Sequence, residues 1–107
     1  MSVSSYKQLV VWQKAIELVL EVYRATQDFP KEEMYGLTSQ LRRAAVSVPS
    51  NIAEGQGRSS TGEFKQFLGH AKGSLFELQT QAVIAQKLGY LKGNAAAMLL
   101  DSSDEVG

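Results

Sequence analysis

The sequence predicts an all-α fold, an antiparallel up-down-up-down four-helix bundle whose fourth helix is short. Three observations carry this. Apolar residues recur at steps of three and four through three long segments, the period of a helix with one buried face. The links between segments are short and rich in Gly, Ser and Pro, which favours antiparallel neighbours. No segment alternates apolar and polar residues for long, and no Asn-Gly or Asp-Gly pair offers a hairpin turn.

Segment one opens with "SYKQ", which fits a capping box with Ser5 at the cap and Gln8 reaching back. Leu9, Trp12, Ile16, Val19 and Tyr23 then form a stripe in a helix running to about Asp28. Val11, Leu18 and Ala25 widen the apolar side to an arc of roughly 200°. A surface helix of a monomeric bundle needs less. The connection "FPKEEMYG" follows. Pro30 suits a first helical turn, and Glu32 and Glu33 suit the positive end of a helix dipole.

Segment two has the stripe Leu37, Leu41, Ala44, Val48 and Ile52, with Gly55 or Gly57 as its end and "GQGRSS" as the turn. Pro49 falls inside that stripe. A proline there removes one backbone hydrogen bond and costs about 3 kcal/mol in a helix interior. The stripe continues from Val48 to Ile52 without a change of phase, so the helix is expected to kink without breaking. The freed carbonyl of Ala45 then needs a donor, and Ser47, Ser50 and Asn51 are close in sequence.

Segment three begins with the capping box "STGE", Ser60 to Glu63. Phe64, Phe67, Leu68, Ala71, Leu75, Leu78, Ala82, Ala85 and Leu88 form its core stripe, and Gly89 is a fitting residue just past the end. Asn94 is expected to cap segment four, "AAAMLLDSSDEVG". On segment three, Gly69, Phe76 and Val83 recur every seven residues and point away from the core, and Gly73 lies four residues after Gly69. With Val11 and Leu18 of the wide arc on segment one, this row is the expected oligomer interface.

With 107 residues, one domain spanning 1–107 is expected, and 44% hydrophobic content is enough for a core. The chain lacks cysteine, and His70 is its one histidine, so no metal site and no cofactor are expected. "EGQGR" lacks the preceding strand and the Lys-Ser/Thr ending of a phosphate loop. No nucleophile–base constellation stands out, so no catalytic residue is assigned. The first residues lack a basic region and cleavage site, and Lys14 and Glu17 interrupt the apolar run. A cytoplasmic protein without a membrane span is the expectation.

Formal net charge is zero, yet residues 38–74 carry Arg42, Arg43, Arg58, Lys65 and Lys72 against Glu54 and Glu63, a net +3. The last seven residues carry Asp101, Asp104 and Glu105. Guanidinium groups pair bidentately with phosphate, so the five basic residues are candidate nucleic-acid contacts on one side of the assembled protein.

Three stretches stand together: "YKQLVVWQKAIELV", "FPKEEMYGLTSQLRRAAVSVPSNIAEGQGR" and "EFKQFLGHAKGSLFELQTQAVIAQKLGYL". Over residues 6–92 they resemble the four-helix-bundle family of bacterial proteins encoded by intervening sequences of 23S rRNA genes. "YGLTSQLRRAAVSVPSNIAEG" is the most specific of the matching runs. The family is related to the accessory protein of diversity-generating retroelements. The resemblance therefore implies a pentameric, barrel-like homo-oligomer with RNA, DNA or reverse-transcriptase partners. It implies no enzymatic activity. The resulting expectation is a self-assembling RNA-binding accessory protein, and the rival is a protein-interaction scaffold that binds no nucleic acid. Two departures bear on the fold. "LKGNAAAM" replaces the family's usual serine and acidic start of helix four, and relatives continue that helix where this sequence has "DEVG". A shortened last helix is expected to leave part of the core uncovered.

Overall fold

In the computed structural model, which describes residues 5–58 and 60–107, four helices follow in order: α1 (Val10–Thr26), α2 (Leu37–Gln56), α3 (Thr61–Lys87) and α4 (Ala95–Val106). The first four residues, part of the stretch read for a targeting signal, and Ser59 of the "GQGRSS" turn lie outside the described residues. No strand occurs among the described residues. Each helix packs on the next and α4 closes back onto α1, while α1 and α3, like α2 and α4, lie diagonally. Ser47 meets Ser74 and Gly55 meets Phe64 and Phe67, so α2 and α3 run antiparallel. The molecule is a four-helix bundle 46 Å long, a length set by the 27 residues of α3 at about 1.5 Å each.

The stripe of α2 is buried as expected. Leu37, Leu41, Ala44, Val48 and Ile52 all join the core. Pro49 sits inside an unbroken helix, also as expected. Its neighbours serve other carbonyls than the one it frees. Ser50 Oγ donates to Val46 O at 2.8 Å, and Asn51 Nδ2 donates to Ser47 O at 2.8 Å. The Ser47 hydroxyl joins Ser74 Oγ at 2.8 Å, a polar tie between α2 and α3.

Helix α1 differs from expectation in phase and in start. Its core residues are Ala15, Leu18, Val22 and Thr26. Trp12 and Val19 pack against the core from its edge, Ile16 is half-buried and Tyr23 is exposed. Leu18, expected at an oligomer interface, is 1% exposed and belongs to the core. The physical reason is that α1 has two neighbours. Trp12, Ile16 and Val19 line the groove against α2, while Ala15, Leu18, Val22 and Thr26 face the core. Ser5 caps a short 3-10 turn over Tyr6–Gln8, accepting from the Lys7 N–H at 3.2 Å, and α1 proper starts after the extended Leu9 without a side-chain cap.

Ser60 caps α3 as expected, but the Glu63 carboxylate answers the Ser60 hydroxyl and not the Ser60 backbone N–H. Ser60 Oγ accepts from the Glu63 N–H at 3.1 Å and donates to Glu63 Oε1 at 3.1 Å. Core burial on α3 runs from Ala71 to Ala85. Leu88, expected in the core, is exposed because α3 ends there and the chain turns through Gly89 at φ +83, a conformation that suits glycine. Asn94 precedes α4 but makes no side-chain cap. Helix α4 spans 12 residues against the 27 of α3. A cavity of about 230 Å³ beside Val106 is lined by Val11, Ile52, Leu68 and Ala71, of which Ile52 and Ala71 are buried.

Candidate nucleic-acid interface

A cleft of about 540 Å³ lies between the end of α1, the α1–α2 connection and the first turns of α2. Its walls combine Tyr23, Met34, Tyr35 and Val46 with Arg42, Arg43, Ser39 and Ser47. Sequence order explains the juxtaposition. Tyr23 is near the end of α1, Met34 and Tyr35 are in the connection, and the arginines occupy the second turn of α2.

Arg42 is held from two sides. Its Nε donates to Thr26 Oγ1 at 2.8 Å, and its guanidinium carbon lies 4.5 Å from the centre of the Tyr23 ring. Thr26 can accept because its own hydroxyl proton goes to Val22 O at 2.8 Å. The terminal amino groups of Arg42 have no partner among the described residues, so they remain available to an acceptor. Arg43, about 100° further round the helix, is exposed and makes no ion pair among the described residues.

The connection that presents Tyr35 is clamped by Glu33. Its Oε1 accepts from the Leu37 N–H at 3.1 Å, which caps α2, and its Oε2 accepts from the Tyr90 hydroxyl at 3.1 Å. Gly36 permits this fold-back, since a Cβ there would lie 2.8 Å from Glu33 Oε1. The hydrogen bond to Glu33 is the main reason the Tyr90 phenol titrates above its ordinary value of 10.0, with burial and the nearby carboxylate charges adding to it. The Tyr35 side chain itself is 97% exposed.

The other basic residues fall elsewhere. Arg58 pairs with Glu54 at 2.9 Å and lies 4.8 Å from the Phe67 ring centre, at the α2–α3 turn. It is 15 residues after Arg43, a separation of roughly 22 Å along the axis. Lys65, Lys72 and Gln79 share one stripe of α3 at seven-residue spacing. Gln79 Nε2 donates to Ser103 Oγ at 2.7 Å and Asp104 Oδ1 at 3.0 Å, both on α4. Within one chain the five residues are spread along α2 and α3, and Arg58, Lys65 and Lys72 do not line the cleft of Arg42 and Arg43. Arg42 and Arg43 are the two that the fold brings to a common cleft.

Of the residues expected at an oligomer interface, Gly69, Gly73 and Phe76 are exposed on the outer face of α3, and Val83 is half-buried. Phe76 is 57% exposed, with Lys72 Nζ 6.0 Å from its ring centre. Val11 is half-buried and lines the cavity beside Val106.

Sequence reasoning missed Tyr35, Met34 and Tyr23 as parts of a site. A signal for two of them existed. "MY" places two large side chains in a short connection, outside every helical stripe. Tyr23 was absorbed into a stripe assigned to the core. Among the described residues no group of three or more His, Asp or Glu side chains is placed to hold a metal ion, and no helix is long and apolar enough to cross a membrane.

Residues 7–107 match the family described as 23S rRNA-intervening sequence protein, and the chain belongs to that family. No curated protein sequence matches it.

Proposed function

We propose that this chain is a non-enzymatic, self-assembling helical bundle that binds nucleic-acid backbones, with RNA as the preferred ligand. The observation that carries the reading is the α1–α2 cleft, where Arg42 and Arg43 present guanidinium groups among exposed aromatic side chains. Arg42 is already oriented by Thr26 and Tyr23, so less side-chain freedom is lost when it meets a phosphate. Lys65 and Lys72 add positive field from the shoulder of α3. Arg58 adds least, because Glu54 already neutralises it.

Self-assembly rests on the outer face of α3, where Gly69, Gly73 and Phe76 offer an apolar strip with no bulk at the glycines. A homo-pentamer is the form we propose, on a relation to the accessory protein of diversity-generating retroelements that is itself part of the proposal. A reverse transcriptase is a proposed partner on the same ground, and the cytoplasm is the proposed compartment. Five copies would repeat each two-arginine cleft around a ring and multiply its field.

Light scattering with and without total RNA, followed by binding curves over a salt series, tests both parts. Arg and Lys contacts release counterions, so affinity should fall steeply as salt rises. Arg43→Ala should weaken binding equally for unrelated RNA sequences, because phosphate contacts do not read bases. Lys65→Ala added to it should lower the salt slope further. If the wild-type protein binds neither RNA nor DNA near 50 mM salt, where the electrostatic attraction is strong, the exposed face of α3 favours the scaffold reading.

A further inference from the structure

We infer that the ligand of the α1–α2 cleft is single-stranded nucleic acid, with an unpaired base stacked on Tyr35 and the adjoining phosphate held by Arg42 and Arg43. The inference rests on the nucleic-acid reading above and narrows it to a class of substrate.

The first ground is the state of Tyr35. Its ring is 97% exposed, while the backbone that carries it is tied at both sides. Glu33 bonds Leu37 N–H and Tyr90, and Met34 N–H reaches Lys31 O at 3.1 Å. No ring contact to Tyr35 occurs among the described residues. A fixed backbone with a free aromatic face loses little entropy when a base covers it. Both faces of a base are accessible only when it is unpaired at a strand end, a loop or a single strand.

The second ground is the number of cations. This cleft has two guanidinium groups, on a chain of zero net charge. Arg58 is paired with Glu54, and Lys65 and Lys72 lie on α3, outside the residues that line the cleft. The two guanidinium groups of one cleft hold a short run of backbone, and the exposed Tyr35 ring beside them offers a second attraction. Stacking of bases on aromatic side chains supplies one that is independent of sequence and worth about ten-fold or more in affinity per base.

The third ground is shape. The cleft holds about 540 Å³, within the roughly 300–1,000 Å³ of pockets that take small ligands. Its walls are mixed: apolar surface from Met34, Tyr23 and Val46, and hydroxyls from Ser39 and Ser47. A second hollow of about 290 Å³ shares Val46 and continues along the same α1–α2 groove past Ile16 and Trp12. A flexible single strand can follow that groove.

The test uses the whole protein and fluorescence anisotropy, with a labelled adenine 12-mer RNA and a hairpin duplex RNA of equal charge. The wild type should bind the single strand more tightly, and its affinity should fall with salt by about 0.7 in log–log slope per phosphate contact. Tyr35→Ala should weaken single-strand binding about ten-fold and leave the salt slope unchanged, while Tyr35→Trp restores affinity. Arg43→Ala should lower the slope by about 0.7. Circular dichroism checks that the variants keep their helices, which the exposure of both side chains favours.

Equal binding of both RNAs, with Tyr35→Ala unaltered, would overturn the stacking inference and leave backbone binding intact. Absence of any binding by the wild type at low salt would overturn both readings. If Tyr35→Ala changes the sedimentation coefficient and leaves RNA affinity unchanged, the cleft is an interface between protein chains, and the inference is wrong.

Discussion

The α1–α2 cleft and the outer face of α3 both expose large side chains, but they are built differently. In the cleft, polar bonds fix the functional groups. Thr26 and Tyr23 set Arg42, and Glu33 sets the loop of Tyr35. On α3, Phe76 stands beside Gly69 and Gly73, where an added Cβ would find nothing within 4 Å, and Lys72 lies only at the margin. Fixed donors suit a charged ligand whose geometry must be matched. A smooth apolar strip suits association driven by area, which is non-directional. The difference teaches that exposure alone does not define a site. What holds the exposed groups decides what they can recognise.

The largest test of that contrast exchanges a buried and an exposed apolar residue for a charge. Leu18→Glu should abolish folding, since it places an unpaired carboxylate at a position 1% exposed, at a cost above about 4 kcal/mol. Phe76→Glu should leave helix content intact and dissociate the proposed assembly. Analytical ultracentrifugation with circular dichroism reads both. An unchanged sedimentation coefficient for Phe76→Glu would remove α3 from the interface.

Glycine-to-alanine changes give the next largest effect and separate close packing from open surface. At Gly55 a Cβ would lie 3.0 Å from Phe67 Cβ, so Gly55→Ala should destabilise by about 1–3 kcal/mol through overpacking. Gly73→Ala meets nothing within 4 Å and should stabilise the folded chain by about 0.5–1 kcal/mol through helix propensity. If two copies meet at this strip, the same methyl group should weaken their association. Urea midpoints report the first quantity, and sedimentation equilibrium the second.

Within the cleft, neighbouring arginines should behave unequally. Arg42→Ala removes a part-buried hydrogen bond and a cation–ring contact and should destabilise by about 1 kcal/mol. Arg43→Ala should change stability by less than about 0.5 kcal/mol. Equal urea midpoints for the two variants would show that Arg42 is not anchored.

The fold was readable in the sequence to a degree that depended on how many neighbours each helix has. The burial of α2 was legible because its five large or medium apolar residues lie on one arc with polar residues beyond it. Helix α1 was misread in phase. Trp12, Ile16 and Val19 line the groove against α2 and Tyr23 the cleft beside Arg42, whereas the core takes Ala15, Leu18, Val22 and Thr26. Hydropathy weights the groove more than the axis and so rotates the apparent core. The candidate site was half legible. Arg42 and Arg43 are adjacent in sequence and stay together, but Arg58, Lys65 and Lys72 were grouped by sequence distance alone. Their separation is a consequence of the antiparallel packing of α3 on α2. The partnership of Tyr35 with the arginines depends on the path of the connection, which periodicity does not describe.

The smallest effect concerns the support beneath the cleft and depends on pH. Tyr90 donates to Glu33 at 3.1 Å, its ring lies 5.5 Å from that of Phe29, and Glu33 caps the helix that carries the arginines. The carboxylate favours the neutral phenol, so the folded chain holds that proton above the ordinary value of 10.0. A group whose folded pKa is raised stabilises the fold fully below its unfolded value and loses that contribution as pH rises through the folded one. Tyr90→Phe should therefore lower the urea midpoint slightly at pH 8, and the gap from the wild type should close as pH climbs past 10.0. The outer face of α3 takes no part in this bond, so Phe76→Glu should shift the midpoint without adding to that closure. A gap that stays constant from pH 8 to beyond 10.0 would mean that the phenol contributes through packing on Phe29, and that the loop of Tyr35 is held by the Leu37 N–H bond alone.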